Sequence, residues 1–136
     1  MNPPDDHDFK VMAGTLFGEA RGEPREGQIG VAWSIINRWR SKKWFSAPSL
    51  AGVCVKRLQY SCWNPGDPTY RRMIDATAEE LAPFEQIARD CVAGTIPDPT
   101  GGATHYYADS IAAPKWAIGK TPTVKLGHHS FFANIA

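Results

Sequence analysis

The stretch from Pro24 to Ser41 constrains the fold more than any other part of the chain. Proline is at home in the first turn of a helix, so Pro24 reads as a start, and the helical pattern runs on to about Ser41. Ile29, Ala32, Trp33, Ile35, Ile36 and Trp39 cover far more of this helix than a single stripe. A helix apolar over so much of its circumference has to be buried. Gly27, Gly30 and Ser34 occupy the remaining side, a strip of small residues that lets another backbone segment approach closely. A chain of 136 residues builds one modest core. The buried helix is therefore expected to run through a single domain spanning residues 1–136.

The other elements follow from periodicity and breakers. A first helix is expected from about Asp6 to Arg21, capped by Asp5 or Asp6 and stopped at Gly22. Its core-facing stripe is Phe9, Met12, Ala13, Leu16 and Ala20. Prolines and glycines break the pattern from Trp44 to Pro68, leaving room for a short helix near Ser49–Val55. Beyond Pro68, Tyr70, Met73, Ile74, Thr77 and Leu81 form one helical face, which Pro83 kinks or restarts. Phe84, Ile87, Ala88, Cys91 and Val92 carry the pattern to a stop at Gly94. Pro97–Gly102 is a loop, and the aromatic segments His105–Tyr107 and His129–Phe132 read as short strands or extended loops. The expected class is α+β, mainly helical, with a small β portion late in the chain.

Charge and composition remove several function classes. A formal net charge of +1 gives no bulk attraction to nucleic acid or to an anionic membrane. Arg38, Arg40, Lys42 and Lys43 cluster, but cations at the end of a helix are expected as a solvated terminus favoured by its dipole. No apolar run is long enough to span a bilayer, so stable membrane association is not expected. The segment Met1–His7 lacks the basic and apolar regions of a signal peptide, so synthesis in the cytoplasm is expected. Cys54, Cys62 and Cys91 are an odd set; Cys54 and Cys62 could pair under oxidising conditions, but small buried apolar residues are the better reading.

The densest polar cluster runs from Gly18 to Gly27. Glu19 follows Met12 by seven residues and so lies at the edge of the buried stripe, in the last turn of its helix. Partial burial and the negative helix end both disfavour a carboxylate and raise its pKa. A carboxyl protonated near neutrality is what a general acid needs. Helical geometry alone leaves a second reading open, an ordinary surface glutamate paired with Arg21 or Arg25.

Ordered motifs tip that balance. Phe17-Gly18-Glu19-Ala20-Arg21-Gly22-Glu23-Pro24, followed by Glu26–Ala32 and Ile35-Ile36-Asn37-Arg38, closely resembles the cell-wall hydrolase family of the spore cortex-lytic enzyme SleB. Val53-Cys54, Gln59-Tyr60-Ser61-Cys62-Trp63-Asn64, Gly101–Tyr107 and Gly127–Phe132 resemble later family segments in the same order. The resemblance implies a lysozyme-like fold related to lytic transglycosylases. It implies cleavage of the β-1,4 bond from N-acetylmuramic acid to N-acetylglucosamine in peptidoglycan glycan strands, with Glu19 as the catalytic glutamate. Of the adjacent His128 and His129, spacing to Phe131 selects His129 for the family position.

A glycosidase normally uses two carboxylates. Glu23, Glu26, Asp67 and Asp109 are candidates without a distinguishing signal, and Glu23 either turns away from Glu19 or caps the second helix. Single-glutamate relatives of this fold dispense with the second group, which favours intramolecular closure of a 1,6-anhydro ring. Gln59 and Ser61 suit sugar hydroxyls and N-acetyl groups, and Tyr60, Tyr106 and Tyr107 either stack on sugars or pack in the core. Trp33 and Trp39 are expected in the core, Asn37 as a satisfied buried amide, and Trp63 in either role. Glu23 and His129 complete the expected substrate contacts. A zinc site on His105, His128 and His129 is disfavoured because adjacent histidines rarely bind one ion and no cysteine lies at ligand spacing, so no metal and no cofactor are expected. The expected protein is a monomeric lytic transglycosylase or muramidase. Size and the missing signal suggest a phage endolysin acting on periplasmic peptidoglycan, and a bacterial cell-wall remodelling enzyme whose signal was removed is the competing context. A zinc-dependent peptidoglycan amidase and a non-catalytic glycan-binding module are the rivals.

Overall fold

The computed structural model describes residues 3–56 and 59–136, so the first two residues of the Met1–His7 segment lie outside it. Its helices are α1 (Asp6–Ala20), α2 (Arg25–Ser41), α3 (Leu50–Val55), α4 (Pro68–Ile74) and α5 (Ala78–Val92). Three strands follow, β1 (His105–Ala108), β2 (Val124–Leu126) and β3 (His129–Phe132). Single 3-10 turns form at Ser61–Trp63 and Lys115–Ala117.

The first helix begins as its capping residues dictate. The Asp8 N–H donates to the Asp5 side chain and the Asp5 N–H donates to the Asp8 side chain. The second oxygen of Asp8 accepts the Ala51 N–H at 2.9 Å, tying α1 to the first turn of α3. Pro24 stands one position earlier than expected, as the residue capping α2 rather than inside its first turn.

Every residue of α2 from Val31 to Ile36 is buried, as the wide apolar surface requires. The small-residue strip receives the sheet. Gly30 lies under the Phe131 ring, where an added Cβ would come within 2.5 Å of Cζ. Gly27 lies beside the Leu126 carbonyl. Trp33 and Trp39 are core residues, and the amide of Asn37 donates to Asp98 and to the Ala103 carbonyl.

The helical face expected from Tyr70 to Leu81 is two helices. Thr77 ends the first run by capping α5 in a reciprocal box with Glu80, which leaves Ile74 and Thr77 exposed instead of core-facing. Pro83 sits inside α5 without ending it, on the solvent side where a lost backbone bond is least costly.

The sheet has the order β1-β3-β2, antiparallel throughout. Strand β2 carries no clear sequence signal and forms because β3 offers it a partner. Phe131 joins the main core with the helices, while Phe132 packs with Ala117 and Ile135 in a smaller cluster that also takes Tyr107 and Trp116. The three cysteines are free and buried.

Candidate active site

Glu19 occupies the last turn of α1, which carries no basic residue to offset the carbonyl end of the helix. The residue before it explains its surroundings. A Cβ on Gly18 would come 2.7 Å from Cβ of Cys62, so glycine is what lets the Ser61–Trp63 turn press against α1. That contact brings the Cys62 N–H to the Glu19 carboxyl. From the opposite side the Tyr106 hydroxyl donates to Glu19 Oε1 at 3.2 Å. Burial dominates the electrostatics and pushes the carboxyl up to about 7, helped by the negative charge of Asp67 and opposed by Tyr106, the Cys62 N–H and Arg38. Arg21, a partner for an ordinary surface glutamate, instead lies 5.1 Å over the Phe17 ring.

Glu19 opens into a chamber of about 440 Å³. Tyr106, Tyr107 and Ala108 of β1 and His129 of β3 form one side. Gln59, Tyr60 and Ser61 form another, and Ile111, Pro114 and Trp116 from the β1–β2 connection complete it. Arg38 also lines the chamber. The sequence suggested a solvated helix end for this residue, yet it is only 5% exposed. Its Nε donates to the Thr104 carbonyl and its Nη1 to Gln59 Oε1, and the guanidinium lies over the rings of Tyr60 and Phe45. The reason is its register: Arg38 follows Val31 and Ile35 by seven and three residues on the buried face of α2. Arg40, Lys42 and Lys43 are exposed, and Lys42 ends the helix with φ at 57°. Among the described residues, Glu19 is the single acidic side chain lining the chamber.

Residues 22–132 match the family model described as Cell Wall Hydrolase. The chain belongs to the cell wall hydrolase family. It is 32% identical over 126 residues to the spore cortex-lytic enzyme of Halalkalibacterium halodurans, covering 93% of this chain and 34% of that protein. It is 30% identical over 125 residues to the spore cortex-lytic enzyme of Bacillus subtilis, covering 92% of this chain and 37% of that protein. The chain thus spans well under half the length of these relatives. The structure superposes on the crystal structure of the catalytic domain of the Bacillus cereus SleB protein with TM-score 0.76 and 28% identity, over 96% of this chain and 93% of that one. The catalytic domain of the germination-specific lytic transglycosylase SleB from Bacillus anthracis gives TM-score 0.74 at 28% identity, over 96% of this chain and 98% of that one. The lysozyme-like, mainly helical α+β fold expected from the sequence is the fold of this cell wall hydrolase.

Within that fold the remaining expected site residues divide. Ser61 is exposed at the chamber mouth. Gln59 commits its carbonyl to Arg38, leaving its amide N–H groups for a ligand. Tyr107 lies parallel to Phe132 at 5.6 Å, its ring shared between the chamber and the smaller cluster. Tyr60 departs from the stacking role: it is 2% exposed and its hydroxyl hydrogen-bonds Ser34, so it backs the chamber without offering a face to a sugar. Trp63 is structural too, its Nε1 donating to Thr15.

Glu23 also departs from expectation, because it does not line the chamber. Its Oε1 accepts the His128 N–H at 2.7 Å and its Oε2 meets His128 Nδ1 at 2.8 Å, anchoring the β2–β3 turn to the start of α2. Burial acts upward on this carboxyl, but the bonds from His128 and the two nearby imidazoles hold it below the usual range. His128 is exposed, whereas His129 faces the chamber with its ring 4.8 Å from Tyr106. Burial disfavours the charged form of His129, and its buried Nδ1 has no hydrogen-bond partner among the described residues.

The other carboxylate candidates lie elsewhere. Asp67 caps α4, Asp109 pairs with Lys125 at 2.8 Å, and Glu26 is exposed in the first turn of α2. No group of three metal-ligating side chains converges among the described residues. Trp116, Ile111 and Pro114 escaped sequence reasoning because they come from an irregular connection without periodicity. Arg38 could have been found, since its spacing from Val31 and Ile35 already placed it on the buried face.

Proposed function

We propose that this protein cleaves peptidoglycan glycan strands at the β-1,4 bond from N-acetylmuramic acid to N-acetylglucosamine, with Glu19 as the acid and then the base. The observation that carries this reading is a chamber lined by one half-buried carboxyl, raised to about 7, and by no second acid among the described residues. Protonated Glu19 gives its proton to the glycosidic oxygen as the C1–O bond breaks. The cationic sugar is stabilised by its own acetamido group. The resulting carboxylate then takes the proton of the muramoyl C6 hydroxyl as that oxygen bonds to C1, closing a 1,6-anhydro ring and returning Glu19 to its acid form. Water is neither consumed nor released. A hydrolytic muramidase would use water in place of the C6 hydroxyl. Its base would ordinarily be a second carboxylate several ångströms from the acid, and the described residues of the chamber wall include none.

The test is the release of soluble fragments from purified sacculi, followed by mass spectrometry. Glu19→Gln should lower the rate by a factor of about 10² to 10⁴ while the circular dichroism spectrum stays unchanged. Products should be lighter by one water than reducing-end fragments. Products of the heavier mass would assign hydrolysis, and full activity of the variant would remove Glu19 from the mechanism.

A further inference from the structure

The chamber holding Glu19 is not the end of the groove. A second cavity of about 250 Å³ adjoins it, and Arg38, Gln59, Tyr106 and Trp116 line both. Trp44, which is 63% exposed, and His105 extend the second cavity, and among the described residues none of its lining side chains is acidic. Arg38 is the fixed cation between the two spaces. It is nine-tenths buried, yet among the described residues its partners are all neutral: one carbonyl, one amide oxygen and two aromatic rings. A guanidinium carries five N–H donors, and those two hydrogen bonds use two of them. Burying such a cation without an anion is costly, and a neutral donor could serve Thr104 and Gln59 without that cost. The charge is therefore surplus to the fold. Lys43 adds a second positive charge nearby: His105 is kept neutral first by burial and then by the charges of Arg38 and Lys43.

We infer that Arg38 is a carboxylate receptor, taking a carboxylate carried by the substituent of the muramoyl sugar beside the bond to be cleaved. The planar fork of arginine matches a carboxylate with two parallel hydrogen bonds, which a lysine or an amide cannot reproduce. The adjoining cavity lies beside the Glu19 chamber and Arg38 lines both, so a substituent on a sugar held in the chamber has a route to the guanidinium. The carboxylate has two possible sources, the lactyl arm of a peptide-free residue or the first acidic group of an attached peptide. This assignment rests on the peptidoglycan reading and adds a specificity determinant to it.

The experiment measures binding without turnover, by calorimetry on the Glu19→Gln protein. Two pairs of muramoyl-containing glycan oligosaccharides serve as probes. One pair is free of peptide and the other carries it, and each is offered as the free acid and as the methyl ester. Esterification should weaken binding about tenfold or more in at least one pair, and the pair affected names the source. Adding Arg38→Gln should erase that difference. The comparison of acid with ester on an unaltered Arg38 stands even if Arg38→Gln does not fold. Equal binding of acid and ester in both pairs, from a protein whose wild type releases fragments from sacculi, overturns the inference alone. So does discrimination that survives in folded Arg38→Gln. A wild type that releases nothing and a variant that binds neither pair overturn the peptidoglycan reading and the inference with it.

Discussion

A carboxyl that titrates near neutrality has to be built, and at Glu19 burial and its neighbours set the value. Burial raises it, while the Tyr106 hydroxyl and the Cys62 N–H favour the ionised form. If protonated Glu19 is the acid, activity falls as pH rises through about 7. Tyr106→Phe removes a bond that lowers the pKa, so the falling limb of the pH–rate profile should move to higher pH; an unmoved limb would mean that Tyr106 does not tune Glu19. The same burial has a cost in stability. A carboxyl ordinarily near 4.5 and raised to about 7 in the fold leaves stability intact at low pH. Stability is then lost as pH rises between those values, because the unfolded chain ionises freely there while the native state keeps the proton up to about 7. Glu19→Gln removes that charge. It should therefore be more stable than the wild type above pH 7, by on the order of 1–3 kcal/mol, and equal to it near pH 4 in urea titrations. Loss of function together with gain of stability is the signature of a site residue, since a surface glutamate would give neither.

At the scale of elements, the decisive contact is that of α2 with β3. Gly30 accepts the face of the Phe131 ring, Phe131 packs against Tyr106, and His129 lies two residues before Phe131 on the same strand. Phe131 is fully buried and has nowhere to move. Gly30→Ala should thus destabilise by about 1–3 kcal/mol, read as a lower urea midpoint, and should lower activity more than stability alone explains because β3 carries one side of the chamber. This contact was legible in advance: the strip of Gly27, Gly30 and Ser34 already required a close neighbour. The helices were legible for the same reason, since a 3.6-residue apolar period over fifteen residues leaves few alternatives. The break between α4 and α5 was not. Thr77 falls on the apolar face by spacing, and its capping bond with Glu80 outweighs that register. Strand β2 was hidden because three residues carry too little alternation to announce a strand. Of the site, Glu19, Tyr106 and His129 could be placed from helix register and motif order. The inward turn of Tyr60 toward Ser34 depends on a contact between residues 26 positions apart, which no local pattern encodes.

For the whole molecule, the site draws on α1, α2, the 3-10 turn at Ser61, β1, β3 and the β1–β2 connection, so it exists only when the helical part and the late sheet are docked together. That docking also separates the histidines on which metal chemistry would depend. His105 is wedged between Phe45 and Trp116, with its Nδ1 bonded to the Thr104 hydroxyl. His128 is turned outward and pairs with Glu23. His129 packs beside Tyr106 on one side of the chamber, their rings 4.8 Å apart. The last two histidines lie on different elements: His128 belongs to the β2–β3 turn and is exposed, whereas His129 opens β3 and is buried. A zinc-dependent amidase needs three such ligands converging on one ion with an open position for water, and stripping the metal would abolish its activity. A glycan-cleaving enzyme that depends on a single protonated carboxyl loses nothing to a chelator. Release of fragments from sacculi should therefore be unchanged by prior dialysis against EDTA and by added zinc. The products should be glycan fragments with their peptides still attached. Loss of activity on chelation with recovery on zinc, or release of free peptides from intact strands, would instead establish amidase chemistry and return Glu19 to a structural role.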